Sequence, residues 1–188
     1  VVCMFKYMKT LNYPVNIKKR DLKMAKYLHT QFGGSNSELA AALRYFSQKF
    51  SMPDEKGKAL LNDIATEELG HVEMIATMIK QLTEGASVEE MASAGLGDMY
   101  SEHGLGVYPS NASGVPFTTG YFAVTGDVLA DISEDMAAEE KARAVYENLI
   151  ELATDKDVIG PLLFLRQREI IHFNRFKELY KYYKKKGY

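Results

Sequence analysis

Apolar side chains recur along this chain at three- and four-residue intervals, and no stretch alternates long enough to make a strand. From Asp21 to Phe32 the period runs through Leu22, Ala25 and Leu28 and stops at Gly33-Gly34, a helix-ending signal. Ser35, Asn36 or Ser37 then caps a helix through Leu39, Ala42, Leu43 and Phe46 to about Phe50. Pro53 and Asp54 punctuate the chain before a longer helix, through Leu60, Leu61, Ile64, Leu69, Ile75 and Ile79 to about Thr83. Ser87-Val88-Glu89-Glu90 is a capping box ahead of a short helix that Gly95 ends. The period fails from Leu96 to about Pro116, and six of the 14 glycines fall between Gly95 and Gly120, which predicts an irregular crossover. A third long helix runs from Phe117 or Asp127 to Ala153. The fourth, capped by Asp155 or Asp157, runs through Leu162, Leu165, Ile170 and Phe176 to about Tyr183.

Four long helices in two pairs, joined by one long crossover, predict an all-α, ferritin-like four-helix bundle. Its 188 residues suit a single domain over 1–188, with an N-terminal segment at 1–20 and a short helix and crossover loop at 84–116. The crossover is too long and too glycine-rich to pack its own core, yet it holds Leu105, Val107, Tyr108, Val115 and Phe117. It is therefore expected to lie against a neighbouring subunit.

Polar positions carry a second, longer period. Glu68 and His71 stand three apart, and Glu169 and His172 repeat that spacing 101 positions later (169 − 68). Glu38 precedes the first pair by 30 residues (68 − 38) and Glu139 the second by the same 30 (169 − 139). Seven residues beyond each lone glutamate lies a tyrosine, Tyr45 and Tyr146. Glu and His three apart lie about one turn apart on one helix face, where both can reach one ion. Glu68 falls on the apolar stripe of Ile64, Ala65, Val72 and Ile75, so it is expected to be buried. Four carboxylates facing one core repel one another unless cations neutralise them. One Glu from each of two helices with Glu-x-x-His from each of the other two is the di-iron and di-manganese pattern of such bundles, so the spacing predicts a dinuclear site between the helices. Glu67, Glu73, Glu140 and Glu147 have no such counterpart and read as surface charges or charges behind the ligands. His29 reads as packed or solvated near its helix end, and His103 as part of the crossover loop.

Composition narrows the remaining classes. The formal charge of −2 offers no field to attract nucleic acid, and no window approaches the roughly 20 apolar residues of a membrane span. Val1-Val2-Cys3-Met4-Phe5 is too short for a signal-peptide core, which predicts an intracellular chain. Cys3 is the only cysteine, so disulfide and Cys-based metal motifs are excluded. Lys184-Lys185-Lys186 reads as a frayed, solvated terminus.

Taken together, these segments resemble the manganese catalase family, and within it a short spore-coat branch. The resemblance is carried by Gly33-Gly34 with Glu38-Leu39-Ala40-Ala41-Ala42-Leu43-Arg44-Tyr45, and by Thr66-Glu67-Glu68-Leu69-Gly70-His71-Val72-Glu73-Met74. It continues in Gly114-Val115-Pro116-Phe117, Ala137-Ala138-Glu139-Glu140-Lys141-Ala142-Arg143 and Arg168-Glu169-Ile170-Ile171-His172. Two features depart from it: the chain stops after its fourth helix, where well-known members carry a long C-terminal extension, and Ala138 stands where some members place arginine.

The resemblance implies Glu38, Glu68, His71, Glu139 and His172 as metal ligands, with Glu68 bridging. It places Glu169 behind the ligands as a catalytic proton-exchanging group, although the bundle pattern alone would make it a ligand, and sets Tyr45 beside the first glutamate. It further implies two manganese ions per subunit, a bridging water or hydroxide, hydrogen peroxide as substrate, and a homo-oligomer, commonly hexameric. Hard oxygen donors with imidazole suit iron as well, so a di-iron oxidase or peroxidase of the rubrerythrin kind is one alternative. A structural spore-coat protein whose metal site mainly stabilises the bundle, with other spore-coat proteins as partners, is another.

Overall fold

Helices start where a short polar side chain can accept from the first unpaired backbone N–H groups. The structure, a computed structural model, describes residues 10–188, so the readings made on Cys3 and on Val1–Phe5 lie outside the described residues. Asp21 caps α1 (Leu22–Gly33), Ser37 caps α2 (Glu38–Gln48), and Asp54 caps α3 (Glu55–Thr83). Ser87 and Glu90 close the expected capping box on α4 (Val88–Ser93). Asp127, not Phe117, starts α6 (Val128–Leu152), and Asp155, not Asp157, starts α7 (Lys156–Lys186).

Between α4 and α6 the crossover holds a helix that periodicity missed, α5 (Gly97–His103). It opens on a glycine with no side-chain cap and has few apolar positions, so nothing in the sequence announces it. His103 therefore ends a helix rather than sitting in a loop, with its ring stacked on Tyr108 at 3.9 Å. Leu105 packs against the small core of Ala86, Met91 and Leu96, and Val107 against the main core. The crossover thus does pack apolar groups within the chain, contrary to the expectation that it could not. Val115 remains exposed.

Gly33-Gly34 ends α1, but neither residue adopts a left-handed conformation. What glycine supplies at position 33 is closeness. A Cβ there would meet the Pro109 carbonyl carbon and the Ser110 nitrogen at 2.5 Å, so this glycine lets the crossover lie on the end of α1. The basic terminus is also more ordered than expected. α7 continues to Lys186, whose Nζ donates to Asp54 at 3.0 Å, and Tyr183 donates to the same carboxylate at 2.7 Å.

α2 packs on α3 and α6 on α7, and the two pairs meet through α2 with α6 and α3 with α7. Along α3, Leu61, Ile64 and Ala65 lie in one apolar cluster and Met74, Ile75 and Met78 in another. Along α7 the order reverses: Leu162 and Leu165 belong to the second cluster, Phe176 and Leu179 to the first. The helices are therefore antiparallel, and the polar residues midway along each come together between two apolar plugs. No described helix is long and apolar enough to cross a membrane.

Candidate metal centre

Glu38 opens α2, Glu68 and His71 lie midway along α3, Glu139 lies on α6, and Glu169 and His172 lie midway along α7. All six are buried. Their donor atoms fall into two groups, Glu38, Glu68, His71 and Glu169, and Glu68, Glu139, Glu169 and His172; within each, one atom per residue lies within 4.8 Å of the others. Glu68 and Glu169 belong to both. The six residues picked out by the 101-residue repeat are thus brought together, and Glu169 stands as close in as the rest.

Glu68 lies between the imidazoles. Its Oε2 is 2.7 Å from His71 Nδ1 and its Oε1 2.7 Å from His172 Nδ1. Each Nδ1 also lies 3.6 Å from the lone glutamate of its own half, His71 from Glu38 and His172 from Glu139. The rings stack at 5.8 Å, tilted by 21°. Two halves related by a local twofold therefore meet at Glu68.

Tyr45 lies elsewhere than the resemblance implied. The Tyr146 hydroxyl donates to Glu38, across the bundle. Tyr45 faces Glu139 instead. Antiparallel α2 and α6 bring each tyrosine opposite the other's glutamate.

Of the two places the sequence left open for Glu67, the surface or behind the ligands, it takes the second. It approaches the outer nitrogens of both imidazoles, 3.2 Å from His172 Nε2 and 3.6 Å from His71 Nε2. Arg168 holds it with two bonds, of 2.6 and 3.2 Å. Position 168 is the repeat partner of 67 (168 − 67 = 101), so a search for matching glutamates could not find this pair, but a search for opposite charges would have. Glu140 and Glu147 pair with Arg143 and Arg166 away from the centre, and Glu73 lies exposed on α3. His29 is buried against Ser110, 3.4 Å away, and burial lowers its pKa to about 4.

The electrostatics show what this cluster lacks. Burial and then the charge of Glu68 push the Glu38 carboxyl up to about 7 and also raise Glu139. Burial and the charges of Glu38, Glu139 and Glu68 push Glu169 well above the carboxylate range. Burial alone would raise Glu68, but His172 and His71 outweigh it and hold Glu68 well below that range. Burial would lower His172, yet Glu68 and its other carboxylate neighbours push it up to about 12. Protons therefore do here what cations would otherwise do. Glu38 Oε2, both Glu139 oxygens and Glu169 Oε1 have no hydrogen-bond donor although buried, and Glu68 Oε1 lies 2.7 Å from His172 Nδ1 without the angle of a hydrogen bond. Unmet anionic oxygens beside imidazole nitrogens fit divalent manganese or iron.

The chain is similar to known proteins. The family described as manganese containing catalase matches residues 4–187. Protein CotJC of Bacillus subtilis is 51% identical over 93% of this chain and 92% of its own. A probable manganese catalase of Clostridium acetobutylicum is 37% identical over 98% of this chain and 83% of its own. The crystal structure of KatB, a manganese catalase from Anabaena, superposes with a TM-score of 0.85 at 34% identity, covering 94% of this chain and 79% of that one.

Proposed function

This chain belongs to the manganese-containing catalase family, and on that premise we propose that it holds two manganese ions per subunit and disproportionates hydrogen peroxide to water and oxygen. Glu38 and His71 would hold one ion and Glu139 and His172 the other, with Glu68 common to both groups. The observation that carries this reading is the pair of four-residue groups sharing Glu68 and Glu169 in a buried space.

Manganese bound there supplies a couple that exchanges two electrons with peroxide without releasing a radical. The protein's part is proton handling and exclusion of bulk water. Oxidising one peroxide, H2O2 → O2 + 2H⁺ + 2e⁻, releases protons that reducing a second, H2O2 + 2H⁺ + 2e⁻ → 2H2O, takes back. Glu169 Oε1, buried and without a hydrogen bond, is suited to hold a proton between the halves of the cycle. The Tyr45 hydroxyl facing Glu139 is suited to exchange a proton with that carboxylate.

An oxygen electrode on metal-analysed protein, without an electron donor, tests this. Oxygen release tracking manganese content is expected. Stoichiometric manganese with no oxygen would reject the enzyme, and peroxide loss only with bound iron and a donor would favour the rubrerythrin-like alternative.

The similarity to Protein CotJC supports association with the spore coat and its proteins. Exposed apolar groups, Phe50 at 72% and Leu69 at 51%, support self-association, with the hexamer as the expected form.

A further inference from the structure

The local twofold breaks at a buried place beside Glu139. One and two turns before Glu139, on the same stripe of α6, stand Asp135 and Asp131, where the first half has Gly34 (135 − 101) and Thr30 (131 − 101). Both aspartates are fully buried. Asp131 is accounted for by the preceding loop: it accepts from the Thr125 nitrogen at 2.9 Å, the Thr125 hydroxyl at 2.6 Å and the Gly126 nitrogen at 3.2 Å. Asp135 has no hydrogen bond to either oxygen.

Its surroundings are polar in the same unfinished way. Arg44 is buried, with Nε 3.3 Å from Glu134 Oε1. Gln48 donates to Ala123 O at 3.1 Å and to Glu134 Oε2 at 3.3 Å, which leaves its buried Oε1 unmet. The Tyr45 hydroxyl is unmet as well. Glu134, at the outer end, is 30% exposed. Unmet buried polar atoms call for small molecules that both donate and accept. On the other side of the centre Tyr146 bonds Glu38, and Gln31 beyond it also has both amide atoms unmet but is fully buried, whereas the Asp135 side continues to the partly exposed Glu134.

We propose that Gln48, Arg44 and Asp135 line the path by which water and hydrogen peroxide pass between the surface at Glu134 and the Glu139 side of the metal centre. Asp135 is the narrowest commitment: it has to offer hydrogen bonds to passing molecules, and an apolar side chain of similar size has to block them. The path selects small molecules that donate and accept at both ends, hydrogen peroxide over alkyl peroxides. The inference rests on the catalase reading, and its test therefore includes a readout independent of turnover.

The test compares manganese-loaded wild type, Asp135→Asn and Asp135→Leu by water-proton relaxation and by peroxide kinetics, both per bound manganese. Asp135→Leu is expected to cut solvent exchange with the bound metal and to lower kcat/KM about tenfold or more, with KM rising. Asp135→Asn should stay within about threefold of wild type. Unchanged relaxation in loaded Asp135→Leu would overturn the path even if wild type evolved no oxygen, whereas slowed relaxation with an inactive wild type would fault only the catalase reading. Should Asp135→Leu fail to load, Gln48→Leu decides by the same criterion.

Discussion

The Tyr146 hydroxyl on α6 donates to the Glu38 carboxylate at the start of α2, joining the two halves of the repeat directly. The bond removes one of the unmet oxygens of the cluster and orients the other, Oε2, toward His71. Tyr146→Phe leaves a buried carboxylate oxygen without its donor. Manganese affinity is expected to fall roughly tenfold, within the ~10–100-fold range for partners that orient ligands, with the fold intact. Metal titration followed by circular dichroism checks both halves of that statement; affinity equal to wild type would show that the bond orients nothing.

Glu68 and Glu73 lie on one helix, five residues and about 140° apart around its axis. Glu68→Gln removes the carboxylate lying between both imidazoles and is expected to abolish binding of at least one ion. Glu73→Gln, on the exposed side, should change manganese content little. Metal analysis of the two variants side by side decides, and equal losses would contradict the register given to α3.

Glu67 touches neither ion in the proposed site, yet one carboxylate approaches the outer nitrogens of both histidines. Burial would raise its pKa, but His172, His71 and Arg168 hold it well below the carboxylate range, so it stays anionic. Glu67→Gln is expected to weaken manganese binding by about 10–100-fold, with both ions affected together. Loss of one ion alone would show that only one imidazole depends on it.

Without metal, burial raises the carboxyls of Glu38 (to about 7), Glu139 and Glu169, and the neighbouring carboxylates raise His71 and His172 (the latter to about 12). Ligands have to shed protons to bind metal. These groups all have raised pKa values, so manganese binding is expected to release protons and to tighten as pH rises from 6 to 8. Calorimetry in buffers of different ionisation enthalpy measures the release. A binding heat independent of buffer would contradict it.

What could be read in advance followed from residues whose role is local or repeated. Caps, apolar stripes and the Glu-x-x-His register depend on spacing within one helix, and the structure gathers all six residues of the repeat. What was missed or left open depends on which helix faces which. Tyr45 sits opposite Glu139 because α2 and α6 run antiparallel, a relation that no spacing within α2 contains. Glu67 gains its place from Arg168 and two histidines on different helices. α5 lacks both a cap and an apolar stripe, and Lys186 is ordered by Asp54, 132 residues away.

The proposed centre needs two ions to work, and stepwise reconstitution counts them against activity. Manganese is added to metal-free protein while bound metal and oxygen release from peroxide are measured on the same samples. Oxygen release is expected to stay near background up to one manganese per chain and to rise with the second, to a plateau at two. Full activity at one ion per chain, or none at two, would contradict the account.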